Sequence, residues 1–268
     1  MKNKLYAIVG ALLLLPSCFF TNKQSGAKHT FFVQAPVDHA AFKNLRETIK
    51  PQLDTIIQQE LGRKEDKNFP IFFFKKGSAI TVYYINDLYD SNEPLGCLMY
   101  LFVEPALDSL KKPLAPQHAT LSSQVKFFGE EQKGLCNGII DLVVLINDPD
   151  KELSHLNKKM KQAMHNANKE YKRAYHIDLY DIAKSEKYPY LPHISLGHLR
   201  ANYIKFLVND ASKADKVLER VKQRIIKVVS DAISKLAPSE RKLLFDKLAI
   251  YSLKKRKFVH ERVLEKVK

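Results

Sequence analysis

The hydrophobic positions change period several times along the chain. "HTFFVQAP" (29–36) reads as a strand closed by Pro36, since proline brings no N–H to a ladder. Over 38–61, Phe42, Leu45, Ile49, Leu53, Ile56 and Ile57 recur at helical spacing and predict an amphipathic helix, with Pro51 placed to kink it. "GRKEDKN" (62–68) is a loop. "FPIFFF" (69–74), "AITVYYI" (79–85), "CLMYLFV" (97–103) and "GIIDLVVLI" (138–146) are apolar runs of strand length. Helical period returns over 149–173 on Leu153, Leu156, Met160 and Met164, and "AYHIDLYDI" (174–182) reads as a further strand. A long amphipathic helix is predicted over 211–236, carrying Val217, Leu218, Val221, Ile225, Ile226, Val229, Ile233 and Leu236. "KLAIYSL" (247–253) and "KFVHERVL" (257–264) look like closing strands. Strands and helices alternate without a regular βαβ rhythm, which predicts an α+β fold with antiparallel sheets.

The N-terminus has a pattern of its own. Lys2 and Lys4 precede an apolar run from Leu5 to Leu15, which has signal-peptide length and is short for a membrane span. "LPSC" follows and resembles the lipobox of bacterial lipoproteins, whose cysteine, here Cys18, is lipidated and becomes the first mature residue. The expected organisation is a signal segment over 1–17, a lipidated polar tether over 18–28 and one folded unit over 29–264 at the cell envelope. An acylated Cys18 would hold the chain at a bilayer surface. No second long hydrophobic stretch is present, so nothing downstream is expected to span a membrane.

Composition adds two constraints. Hydrophobic residues make up 45 % of 268, enough for a full core. Lys plus Arg number 44 against 29 Asp plus Glu, and the net charge of +15 favours polyanionic partners: nucleic acid, anionic lipid or phosphorylated small molecules. Cys97 and Cys136 are free to pair outside the cytoplasm, but spacing alone does not establish a bridge. No Cys or His pair has zinc-ligand spacing, so neither a metal nor a cofactor is expected.

The chemistry-bearing signal is a repeat. Of nine histidines, two begin the pattern His, apolar, Ser or Thr, apolar: "HATL" (118–121) and "HISL" (193–196). Residues two apart on a strand share a face, so each imidazole is expected beside a hydroxyl. In-line cleavage of a phosphodiester needs a base on one side of phosphorus and an acid on the other, and histidine serves both roles near neutral pH. A hydroxyl beside each can donate to a non-bridging oxygen as charge develops there.

These tetrapeptides resemble the two motifs that name the 2H phosphoesterase superfamily, which includes 2′,5′ RNA ligase-like proteins, cyclic phosphodiesterases and an RNA 3′-end exonuclease branch. "PHISLG" (192–197) is similar to its second motif and "QHATLSS" (117–123) to its first, with Ala119 smaller than usual and "SSQV" standing before "KFFG" (126–129). "TFFVQAPVD" and "FDKLAIYSL" are similar to its opening and late strands. The resemblance implies two pseudo-symmetric αβ lobes flanking a central groove, His118 and His193 as metal-free acid and base, and Thr120 and Ser195 on the phosphate. It implies a nucleotide or RNA-end phosphodiester as substrate. A non-catalytic envelope lipoprotein that keeps the fold, with or without nucleotide binding, is the other class open at this point.

Strand alternation puts His198 on the face away from Ser195 and assigns it a structural role. Tyr188 and Tyr190 are candidates for base stacking, Lys126 and Arg200 for phosphate steering. The basic positions of the 211–236 helix read as a solvated face.

Overall fold

The computed structural model describes residues 28–37, 40–62, 70–75, 77–89, 99–110, 117–129, 138–208 and 210–263. The signal segment, Cys18, Cys97 and Cys136 lie outside the described residues. Among the described residues no helix is long and apolar enough to cross a membrane.

The chain begins with β1 (Lys28–Pro36) and α1 (Ala40–Leu61), which runs on past Pro51. β2 (Phe72–Phe74) and β3 (Ala79–Tyr89) follow, then a π-helical turn (Met99–Val103) leading into α2 (Glu104–Asp108). β4 (Gln117–Phe128), β5 (Ile139–Asn147), α3 (Glu152–Tyr175) and α4 (Ile182–Ser185) precede β6 (His193–Arg200). The remainder is α5 (Ala201–Val208), α6 (Ala211–Lys235), α7 (Pro238–Arg241), β7 (Lys242–Phe245), β8 (Lys247–Ser252) and β9 (Lys257–Val263). This is the expected α+β architecture, and every strand pairing in it is antiparallel.

Two expected strands are not strands. Residues 99–108 coil instead: Met99, Val103, Ala106 and Leu107 are buried at helical spacing, and Phe102 meets Tyr171 of α3 edge to face at 5.2 Å. An apolar run of seven does not declare its own period. Over 174–182, α3 ends with His176 in the left-handed conformation. Side chains of α3 then take the place of a neighbouring strand. Asn168 accepts from the Leu179 N–H at 2.6 Å and donates to Asp178 at 3.0 Å, and this seats Leu179 and Tyr180 in the core.

The strands form one sheet in the order β7-β4-β5-β6-β3-β1-β8-β9, with β2 on the outer part of β6. Its halves meet at a narrow seam, since β3 and β6 share the single pair Ile80↔Ile194. The helices cross between halves. α3 follows β5 yet packs on β3, where Asn157 donates to the Val82 carbonyl at 2.6 Å. α1 follows β1 yet packs on α6, which covers β4. The buried side chains of both halves join in one hydrophobic cluster.

The basic face of α6 is largely spoken for. Arg220 and Arg224 pair with Glu60 of α1, each at 2.9 Å, while Lys213 and Lys227 pair with Asp210 and Asp231. The two arginines tie α6 to α1, the Lys213 pair lies at the start of α6 and the Lys227 pair lies along it.

Candidate active site

β4 and β6 run in the same direction on either side of β5, because each is antiparallel to it. The HATL and HISL tetrapeptides open those two strands. Both motifs therefore lie at the same end of one stretch of sheet.

Register settles which side chains share a face. In β5, Asn147, Leu145, Val143 and Asp141 alternate on one side; their partners are Thr120, His193, Ser195 and His198 respectively. Lys126 stands opposite Val143 and Phe128 opposite Asp141. Thr120, Lys126, Phe128, His193 and Ser195 thus belong to one face of the sheet. Val143 and Leu145 form its floor: both are buried, yet neither belongs to the hydrophobic cluster behind the sheet. The "SSQV" insertion is a local excursion within β4. Leu121 pairs with Ile146 and Val125 with Val144, so two extra residues are absorbed and the alternation survives. Ser230 of α6 holds the excursion by donating to the Ser123 carbonyl at 2.7 Å.

A second irregularity corrects the expectation for His198. Between Leu142↔Gly197 and Val143↔Ser195 the register slips by one, a β-bulge at Leu196–Gly197. Alternation resets there. Half-buried positions fall at His193, Ser195, His198 and Arg200, and buried ones at Ile194, Leu196, Gly197 and Leu199. His198 is on the site face, where strict alternation had excluded it.

The His193 imidazole is held in one tautomer. Its Nδ1 lies 2.8 Å from the Leu191 carbonyl, which can only accept, so Nδ1 carries the hydrogen and Nε2 is left as the basic nitrogen. Phe128 meets the ring edge to face at 4.9 Å. Burial pushes the imidazole below the ordinary histidine value of 6.5, and the nearby Lys75 ammonium pushes the same way. The Leu191 carbonyl and the Asp141 carboxylate oppose this in part. The neutral ring therefore persists to lower pH than in an ordinary histidine. The unfolded chain takes up this proton first, so stability is expected to fall as pH drops from 6.5 through the lowered value. Urea titrations of wild type and His193→Gln at pH 7 and pH 5 check this: the variant should lose less stability on acidification.

Lys75, Asp141 and Phe73 were not singled out by sequence. Lys75 follows β2, donates its backbone N–H to the Leu196 carbonyl at 3.0 Å, and acts electrostatically on both Asp141 and His193. The signals were present: one acid inside the apolar run "GIIDLVVLI", and a lysine directly after "FPIFFF".

The other candidates divide. Thr120 is half-buried and paired across to Asn147, and Ser195 lies in the row of Lys126. Arg200 sits over the Phe73 ring at 5.2 Å, beyond His198. Tyr188 is exposed, with the Lys187 ammonium 5.1 Å from its ring centre. Tyr190 packs against the hydrophobic cluster with its hydroxyl enclosed, and burial raises that hydroxyl's pKa above the usual tyrosine value. Its ring is core packing rather than an open stacking surface. His118 is placed by its backbone opposite Leu244 of β7; its side chain, like that of Gln117, lies outside the described residues. Among the described residues no group of three or more His, Cys, Asp or Glu has metal-site geometry.

No protein-family model matches the chain, and no curated protein matches it. Solved structures do. The chain is similar to the structure of Kluyveromyces marxianus Usb1, with a TM-score of 0.56 and 11 % identity over 89 % of this chain and 98 % of that one. A second Usb1 structure from the same organism, containing uridine monophosphate, gives a TM-score of 0.52 and 11 % identity over 88 % and 98 %. The likeness covers most of this chain and nearly the whole of the other, and it is one of fold.

Proposed function

We propose that this protein is a phosphodiesterase that opens or cleaves a nucleotide or RNA-end phosphodiester by metal-free, two-histidine acid–base catalysis. The observation that carries the reading is the pairing of motifs. Two His-x-Ser/Thr tetrapeptides open strands of the same direction flanking β5, and Thr120 and Ser195 share one sheet face. His193 is the better base. Its Nε2 is the unprotonated nitrogen of the neutral ring, and burial favours that form. His118, two residues from Thr120 on β4, is then the acid. Thr120 and Ser195 donate to the non-bridging oxygens, and Lys126 draws the anion in. The fold shared with a protein solved with uridine monophosphate supports a nucleotide-type substrate.

The test is a panel of 2′,3′-cyclic nucleotides, 2′,5′-linked oligonucleotides and RNA 3′ ends. At least one class should turn over, and at an unchanged rate in excess chelator. Activity lost on chelation and restored by a divalent ion would contradict the metal-free scheme. The acid limb of kcat/KM should fall below pH 6.5, following the lowered His193 value. A limb above 6.5 would remove His193 from the role of base.

The location goes with this reading. We propose an envelope location on the lipobox-like "LPSC", whose Cys18 would be lipidated and hold the chain at a bilayer surface. Palmitate labelling that is lost on Cys18→Ser would support the anchor, and labelling that persists would contradict it.

A further inference from the structure

The bulge in β6 turns a second set of side chains onto the site face. His198 Nδ1 lies 2.5 Å from Asp141 Oδ1; the carboxylate accepts, so the hydrogen is on Nδ1 and Nε2 is directed away from Asp141. Phe73 packs on the same imidazole at 5.0 Å and 37°. The ring is therefore fixed on two sides while its second nitrogen has no hydrogen-bond partner among the described residues. Lys75 stands nearby. Its ammonium is largely removed from water and makes no ion pair or side-chain hydrogen bond among the described residues. Burial pushes it below the usual lysine range, and Asp141 offsets part of that.

A cation withdrawn from water without a matched acceptor is costly, and an arriving anion relieves that cost. Asp141 is the one acid facing this spot from β5, and its Oδ1 is engaged by His198. Lys75 Nζ is a donor, and His198 Nε2 becomes one in the imidazolium form, in which Nδ1 serves Asp141 and Nε2 carries the second hydrogen; in that form the two suit one phosphate group. They flank the His193–Ser195 pair along β6, about three residues of strand or less from Ser195, which is roughly 10 Å at most. That is a site beside the scissile phosphate.

We propose that His198, oriented by Asp141, forms with Lys75 a second phosphate-binding subsite, and that the substrate is a polynucleotide end with a further phosphodiester rather than an isolated cyclic mononucleotide. This rests on the phosphodiesterase reading and specifies its substrate class. His193 and Ser195 work on the bond that breaks. His198 and Lys75 hold the phosphate one step along the chain.

The experiment compares a uridine dinucleotide, which has only the scissile phosphate, with a uridine trinucleotide, which has a second. In wild type, kcat/KM should be about ten- to hundredfold higher for the trinucleotide, the size of one or two charge-assisted contacts. In His198→Gln and in Lys75→Gln that advantage should shrink toward one, and Lys75→Arg should keep most of it. An advantage retained in both Gln variants overturns the subsite. So does an equal loss on both substrates, which would move these residues onto the scissile phosphate. Fluorescence anisotropy with the same two oligonucleotides reads the ratio as binding. If wild type cleaves neither, the catalytic reading fails, while the binding ratio still decides the subsite.

Discussion

Replacing His193 with alanine is expected to lower kcat by about 10²–10⁴-fold on whichever phosphodiester the wild type cleaves, with KM changed little. The split follows from the geometry. His193 Nδ1 is committed to the Leu191 carbonyl, so the ring contributes Nε2 and its proton affinity. Because burial lowers that affinity below 6.5, the ring is neutral at pH 7 and ready to accept a proton from the attacking hydroxyl or water. On the proposed mechanism, ground-state hold on the phosphate comes instead from Ser195, Thr120 and the neighbouring cations, which the substitution leaves in place. The site is half-buried on an open sheet face, so the fold should survive. A variant with intact circular dichroism, unchanged KM and a collapsed kcat is the expected result. A loss confined to KM would make His193 a binding residue.

The second large effect is expected at Gly197. A Cβ added there would sit 2.5 Å from Phe72 Cζ and 2.7 Å from the backbone oxygen of Phe73. A ring can give way; the carbonyl belongs to β2, whose pairing with β6 fixes it: Phe72↔Leu199, Phe73↔His198 and Phe74↔Gly197. Gly197→Ala should therefore cost about 1–3 kcal/mol by overpacking, and Gly197→Val more. The loss reaches function as well. β2 carries Phe73 against His198 and leads into Lys75, so pushing it off β6 dismantles that side of the site. Gly77, where an added Cβ meets nothing within 4 Å, is the control, and Gly77→Ala should stay within about 0.5 kcal/mol of wild type. Urea unfolding of the three variants measures this. A neutral Gly197→Ala would mean that β2 can shift without penalty.

Gly197 also marks where the sequence stopped being legible. An isolated glycine inside a strand pattern is a bulge signal, and "HISLGHLR" contains one. Read with unbroken alternation, the same letters send His198 to the wrong face. The residues that long periodic patterns govern came through: α1, α3 and α6 stand where helical spacing put them, and the α+β class with antiparallel pairing holds. Short apolar runs did not. "CLMYLFV" has the length of a strand, but its buried positions continue at helical spacing into Ala106 and Leu107. "AYHIDLYDI" fails for another reason: its backbone is satisfied by Asn168, a tertiary contact that no local pattern encodes. The His-x-Ser motif was visible because its spacing lies within one strand. Asp141 comes from β5 and Lys75 from the residue just after β2, and only sheet register brings them to it.

The proposed mechanism runs on two histidines and no metal. The most direct measurement is turnover of an RNA 3′ end and of a 2′,3′-cyclic nucleotide, in excess chelator, by wild type, His118→Ala and His193→Ala. Wild-type turnover that survives the chelator and falls by about 10²-fold or more in each variant is the predicted result. Turnover unchanged in both variants would contradict it.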